Sequence, residues 1–138
     1  MIEEKKILTK IDEMNGYLEE LEKIKPVSIE EYKDNTEKKR ACERLLQISI
    51  ETVIDICNIL ASSQKIGLPE DEDALLDKLQ KKNILSISLT KKLRSMKGFR
   101  NILVHKYGEV DDEISYENLE KLSDFDLFKE EVIFFLKK

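Results

Sequence analysis

The stretch over residues 40–62 is the longest periodic run in the chain and constrains the fold more than any other part. Its apolar residues occupy one helical face and then widen that face over most of the circumference. A helix of this kind is buried on nearly all sides, so we predict that it is the central helix. The face comprises Leu45, Ile48, Thr52, Ile56 and Ile59, and it is widened by Leu46, Ile50, Val53, Ile54 and Cys57. Glu43 is interpreted as a surface residue on the narrow polar side of this helix.

Helical spacing also dominates the rest of the chain. Only four glycines and two prolines occur in 138 residues, and the segments between them favour helix over sheet. We therefore predict an all-α fold that forms one domain over residues 1–138. The other predicted helices cover about residues 3–24, 28–32, 72–82, 88–107, 116–122 and 124–138. The apolar positions of the helix over residues 88–107 are predicted to be Leu89, Leu93, Met96, Ile102 and Leu103.

The two cysteines, Cys42 and Cys57, lie on the same predicted helix and are expected to be reduced core thiols. The chain has no Cys-x-x-Cys pair and a single histidine, so no metal site is predicted. The N-terminal residues carry acids, and no segment is expected to approach the ~20 apolar residues of a membrane span. These features predict a cytoplasmic protein.

The charge is unevenly distributed along the chain. The net charge is −5, yet residues 78–106 contain nine Lys or Arg residues and no acid, which leaves −14 for the remainder. This segregation predicts a basic face for a phosphate backbone, with Lys91, Lys92, Arg94, Lys97 and Lys106 as candidate RNA contacts. The alternative is a basic helix that pairs with acidic helices of the same molecule or of its neighbour.

The most reactive side chains lie near the end of that basic window. Arginine presents a fixed fork of donors to phosphoryl oxygens, and histidine exchanges protons near neutral pH. On one helix, Arg100 and Tyr107 share a face, whereas Arg100 and His105 diverge by ~140°. We therefore expect the helix to end or bend near His105, with Gly108 as its C-terminal cap, or a second copy to complete the site. Asn101 is expected to hydrogen-bond the imidazole.

The octapeptide Arg100-Asn-Ile-Leu-Val-His105-Lys-Tyr107 resembles the Arg-x-x-x-x-His-x-Tyr motif of HEPN-domain proteins. It is most similar to the HepT-like toxins that are encoded beside a minimal nucleotidyltransferase (MNT) antitoxin. Residues 44–56 resemble the central helix of that group, and residues 98–101 resemble its approach to the motif. Together with the helical layout, the resemblance covers essentially the whole chain.

The resemblance implies an up-and-down bundle of about five to six helices that dimerises near the motif. It also implies a toxin that cleaves tRNA or mRNA as a metal-independent endoribonuclease without a cofactor. Arg100 would hold the scissile phosphate and His105 would act as general acid or base, supported by Asn101, Glu51 and Asp55. The antitoxin would transfer AMP onto Tyr107.

Two other interpretations remain open. The chain is alternatively a non-catalytic subunit that binds the nucleotidyltransferase or a nucleotide, with the basic cleft as its docking surface. The third interpretation is a helical dimer in which the motif is fortuitous. RNA cleavage by the unmodified protein, together with an AMP-sized mass shift at Tyr107, would separate these interpretations.

Overall fold

The computed structural model describes residues 2–105 and 110–138, and these residues form seven α-helices without a strand. The all-α prediction is therefore confirmed, although the family resemblance implied only about five to six helices. The helices are α1 (Ile2–Ile24), α2 (Ile29–Asp34), α3 (Thr36–Ser63), α4 (Glu72–Lys81), α5 (Ile87–Val104), α6 (Asp112–Leu119) and α7 (Ser123–Leu136).

The predicted central helix is α3, which packs against α1, α2, α4, α5 and α6. Leu46, Ile56 and Leu60 are among its fully buried residues. By length and composition alone α3 would suffice to cross a membrane, contrary to the expectation from the sequence. However, 61% of its most apolar window is buried inside the chain, as the central helix of a bundle requires.

Side-chain caps explain where most helices begin. The side chains of Ser28, Asn35, Asp71, Ser86 and Asp111 each accept a hydrogen bond from a backbone N–H in the first turn of the helix that follows. Each bond satisfies a donor that has no partner within its own helix. In the acidic segment 109–113, predicted to be a loop, Asp111 therefore supplies the cap of α6, and Asp112 and Glu113 lie in its first turn.

Two predictions about α5 are corrected. The helix ends at Val104 instead of near residue 107, and Ile102, predicted to face the core, is 49% exposed. Phe99 is buried in the core and was not predicted to be there. The apolar face of α5 is therefore formed by Leu89, Leu93, Met96, Phe99 and Leu103.

The buried polar groups of α3 lie close to their predicted places, with one exception. Cys42 and Cys57 are free and buried, as expected. Burial raises the pKa of Cys57 to about 12 and that of Cys42 to about 11. Glu43 was interpreted as a surface residue, but it is buried and accepts hydrogen bonds from Arg40 at 3.0 and 3.1 Å.

Candidate functional site

Arg100 lies near the C-terminal end of α5, and the chain itself surrounds its guanidinium group. Nη2 donates to Glu72 in the first turn of α4, and Nε donates to Asn101 Oδ1 at 3.0 Å. Nη1 lies 3.9 Å from Glu51 Oε2 of α3. The Arg100 side chain is only 13% exposed. Three elements of the fold therefore fix the direction of the guanidinium fork.

His105 is the residue at which α5 stops. Its backbone N–H closes the last helical hydrogen bond to the Asn101 carbonyl at 2.9 Å, but its φ of −103° and ψ of 28° leave the helical region. The side chain is exposed and makes no hydrogen bond within residues 2–105 and 110–138. The expectation that the helix ends near His105 is confirmed, while Gly108, its predicted cap, lies outside the described residues.

Asn101 has a different partner from the one predicted. Its side-chain oxygen accepts from Arg100 Nε instead of bonding the imidazole. The physical reason is that the adjacent guanidinium is a charged donor, which makes the stronger hydrogen bond to the amide oxygen. Asn101 therefore orients the arginine and not the histidine.

The two α3 carboxylates predicted to support the site have separate contacts. Glu51 lies beside Arg100 and accepts a hydrogen bond from Gln47 Nε2 at 3.3 Å. Asp55, one turn further along, instead pairs with Lys10 of α1 at 3.6 Å. Of these two residues, the structure brings Glu51 to Arg100 and ties Asp55 to α1.

The expected open basic face is largely neutralised by acids from the same chain. Lys97 Nζ lies 2.9 Å from Asp73 Oδ1, and Arg94 Nη2 pairs with Asp77. A weaker contact of 3.5 Å joins Lys92 to Asp124 of α7. The interpretation of a basic helix paired with acidic helices of the same molecule is therefore the one the structure favours.

One candidate RNA contact within the described residues, Lys91, is not neutralised in this way. Lys91 is exposed and has no acidic partner in the part of the chain that the structure describes. Lys106 lies outside the described residues, as does Tyr107. The cationic surface left for a nucleic acid is therefore smaller than the charge count of residues 78–106 suggested.

Glu72 is the site residue that sequence reasoning missed. The charge window began at residue 78 and so excluded the acids of α4, which fold back against α5 as an antiparallel hairpin. Glu72, Asp73 and Asp77 pair with Arg100, Lys97 and Arg94, so numbering rises on one helix as it falls on the other. The mirrored spacing of acids on one short helix and bases on the next could have predicted from the sequence that α4 and α5 pair.

This arrangement can recognise an oxyanion and transfer a proton at two neighbouring places. A guanidinium held by fixed partners is a preorganised donor for an oxyanion, and the exposed imidazole at the helix end is accessible to a substrate. The fold and the site therefore define an all-helical domain with an Arg-x-x-x-x-His pair at the end of a core-packed helix.

The comparison with protein families assigns the domain more narrowly. The family model described as "Ribonuclease HepT-like" matches residues 14–132. The chain belongs to this HepT-like family of HEPN domains. The resemblance inferred from the motif is thereby confirmed.

Two curated relatives are similar over most of the domain. The tRNA nuclease HepT of Aphanizomenon flos-aquae is 33% identical over 105 residues, which cover 76% of this chain and 71% of the relative. The mRNA nuclease HepT of Shewanella oneidensis is 33% identical over 84 residues, or 60% of this chain and 63% of the relative. The second match thus spans less than two thirds of that protein.

Solved structures share the fold at lower identity. A toxin–antitoxin complex with AMP-PNP superposes with a TM-score of 0.84 at 24% identity and covers 91% of this chain and 96% of its counterpart. The tri-AMPylated Shewanella oneidensis HEPN toxin in complex with MNT antitoxin gives a TM-score of 0.84 and 24% identity, covering 91% and 95% of the two chains. At these identities the likeness establishes the fold.

Proposed function

We propose that this protein is an endoribonuclease toxin that cleaves tRNA or mRNA through Arg100 and His105. The observation that carries the proposal is the guanidinium of Arg100, held in place by three helices, five residues before the exposed imidazole of His105 at the C-terminal end of α5. Membership of a ribonuclease family and two relatives named as RNA nucleases support it.

The chemistry follows from these two side chains. Arg100 binds the non-bridging oxygens of the scissile phosphate and stabilises the charge that builds up on them during attack. The ribose 2′-hydroxyl attacks the adjacent phosphorus, the bond to the 5′-oxygen breaks, and a 2′,3′-cyclic phosphate remains. His105 takes the hydroxyl proton or gives a proton to the leaving oxygen. We propose that this reaction is independent of metal, because these two side chains supply the charge and the proton transfer.

We further propose that the active form is a homodimer in which two copies of α5 face each other. Gly98, Ile102 and His105 follow a four-three spacing along one side of this helix, on which Ile102 and His105 are exposed and Gly98 is half-buried. Ile102 is half exposed, and a Cβ added at Gly98 would contact nothing within 4 Å. An open glycine beside an exposed isoleucine suits the close approach of a second helix.

The dimer has a direct test with a matched control. Ile102→Lys should convert the dimer to a monomer in sedimentation or light scattering and lower RNA cleavage with it. Ile114→Lys changes a residue of similar exposure, 43%, on α6 and should leave the dimer intact. If both variants or neither dissociate, the exposed side of α5 is not the interface.

The proposed partner is a minimal nucleotidyltransferase antitoxin that transfers AMP to Tyr107. The AMPylated Shewanella oneidensis toxin bound to its MNT antitoxin supports this pairing. An added AMP would introduce bulk and a negative charge two residues from His105. We expect both proteins in the cytoplasm, since the two thiols of this chain are free and such thiols are typical of a reducing compartment.

The decisive experiment incubates the purified protein with tRNA and mRNA in the presence of EDTA. The wild type should cleave RNA to cyclic-phosphate ends, whereas His105→Ala and Arg100→Ala should lose cleavage by about 10²-fold or more. Arg44→Ala removes an exposed arginine of α3 and serves as the matched control.

Equal and intact RNA for all variants, with no AMP on Tyr107, would remove the enzymatic proposal. The alternative is a non-catalytic subunit that binds the nucleotidyltransferase or a nucleotide. The neutralised cations of α5 favour it over a general RNA-binding role. Formation of a stable complex with the antitoxin without any cleavage would support that alternative.

A further inference from the structure

The guanidinium of Arg100 is already occupied by carboxylates of its own chain. The Glu72 carboxylate accepts a hydrogen bond from Nη2, the Asn101 side-chain oxygen accepts one from Nε, and Glu51 lies 3.9 Å from Nη1. An RNA phosphate binds arginine best through two parallel N–H donors of the same fork. The fork therefore cannot present its Nη2 edge to RNA while the Glu72 contact persists.

The environment of Arg100 is also electrostatically unfavourable for a polyanion. Two carboxylates beside one guanidinium leave a local formal charge of about −1, and a phosphate placed there would repel both. The next cations toward the start of α5, Lys97 and Arg94, are neutralised by Asp73 and Asp77. The acids on α4 thus occupy the same cations that a phosphate backbone would use.

The Glu72 side chain is able to leave while its helix stays. Leu75, Leu76 and Leu79 anchor α4 in the core, and Asp71 caps its N-terminus through a bond of 2.8 Å to the Ala74 N–H. Glu72 itself is 35% exposed and lies in the first turn. A rotamer change therefore suffices to release Arg100, without movement of the backbone.

We propose that the Glu72 carboxylate substitutes for the RNA phosphate at Arg100. It occupies the guanidinium in the free protein and must be displaced when RNA binds. This inference rests on the proposed RNA cleavage and adds a residue that sets its affinity for substrate. Glu72 acts through Arg100 and is therefore not a catalytic residue. Its effect belongs to binding, so it changes KM and leaves kcat largely unaltered.

The test is a double-mutant cycle on RNA binding. The probe is a fluorescein-labelled single-stranded RNA oligonucleotide, measured by anisotropy in the His105→Ala background so that no cleavage occurs. Glu72→Gln should tighten binding about 1.5-fold to fivefold, the range expected from removal of a partly exposed ion pair. Asp77→Asn removes the same charge from the pair that Asp77 forms with Arg94. Its effect on RNA affinity measures the non-specific contribution of charge removal and should be smaller than that of Glu72→Gln.

The coupling between Glu72 and Arg100 distinguishes competition for the guanidinium from the general effect of removing a negative charge. In an Arg100→Ala background, the gain from Glu72→Gln should shrink to the size of the Asp77→Asn effect. With the active protein, Glu72→Gln should lower KM with little change in kcat, whereas a residue needed to position Arg100 for catalysis would lower kcat instead.

The outcomes for the two proposals are distinguishable. Cleavage by the wild type without coupling between Glu72 and Arg100 overturns this inference and leaves the ribonuclease intact. Coupled RNA binding without cleavage by any variant overturns the ribonuclease and leaves this inference intact. If Glu72→Gln binds RNA no better than Asp77→Asn does, or if it binds no RNA at all, Glu72 does not stand in for phosphate.

Discussion

Glycine-to-alanine changes at two helix positions with open space beside them offer a quantitative test of the packing described above. Gly16 in α1 and Gly98 in α5 both lie inside helices, and a Cβ at either position meets no atom within 4 Å. Alanine costs no steric strain there and restricts the unfolded chain, so each change should raise the free energy of unfolding by about 0.5–1 kcal/mol. With an unfolding entropy of about 2.1 cal/mol/K per residue, this gain corresponds to a Tm higher by roughly 2–3 °C.

Thermal unfolding over a range of protein concentrations is the assay, because Gly98 lies on the proposed interface between two copies and Gly16 does not. Gly16→Ala should give the same gain at every concentration. Gly98→Ala should match it at low concentration and lose the gain as dimers form. A lower Tm for Gly16→Ala would refute the inference that a Cβ fits at this position without strain. Equal gains for both variants at all concentrations would refute the placement of Gly98 between helices.

Three further predictions concern the core, the alkaline limit and the start of α5. Leu60→Ala should lower the free energy of unfolding by about 2–5 kcal/mol in urea titrations, because Leu60 is fully buried in α3. Burial raises the pKa of Cys57 from an ordinary 9.0 to about 12. The neutral thiol's contribution to the free energy of unfolding is therefore complete below pH 9 and is lost as the pH rises toward 12. The urea midpoint should fall over that interval, and less so in Cys57→Ala. Glu131→Ala should cost about 1 kcal/mol by the same titration, since its carboxylate accepts from Ser86 N and Oγ at 2.7 Å each.

Helix positions were predictable wherever local chemistry decides them. The break at 67–69 and the acids that follow it predicted α4 over 72–82, and the observed helix is Glu72–Lys81. Ser28 with Glu31 three residues on predicted a helix start, and Ser28 Oγ does accept from the Glu31 N–H at 3.2 Å. Such signals lie within one turn of the chain, so no knowledge of tertiary contacts is needed to interpret them.

The errors arose where a distant residue decides the outcome. Ile102 has the spacing of a core residue, yet Phe99 and Leu103 already fill the inner face at the end of α5 and leave Ile102 exposed. The cations of residues 78–106 suggested an open basic face, because counting along the chain cannot show that α4 folds back and places Asp73 beside Lys97. Both outcomes depend on which helices become neighbours, and a single sequence contains that information only indirectly.

The two motif residues occupy opposite environments, and we propose that this difference makes the site both specific and controllable. Arg100 is largely buried and held by Glu51 of α3, Glu72 of α4 and its neighbour Asn101, so its direction is set in the free protein. His105 is exposed where α5 ends, and in the proposed reaction a bound RNA or a second copy would fix its position. Under these proposals, RNA binding has two separate requirements, displacement of Glu72 from the arginine and placement of the histidine. A partner or modification that altered only one of them would then suffice to block the proposed reaction.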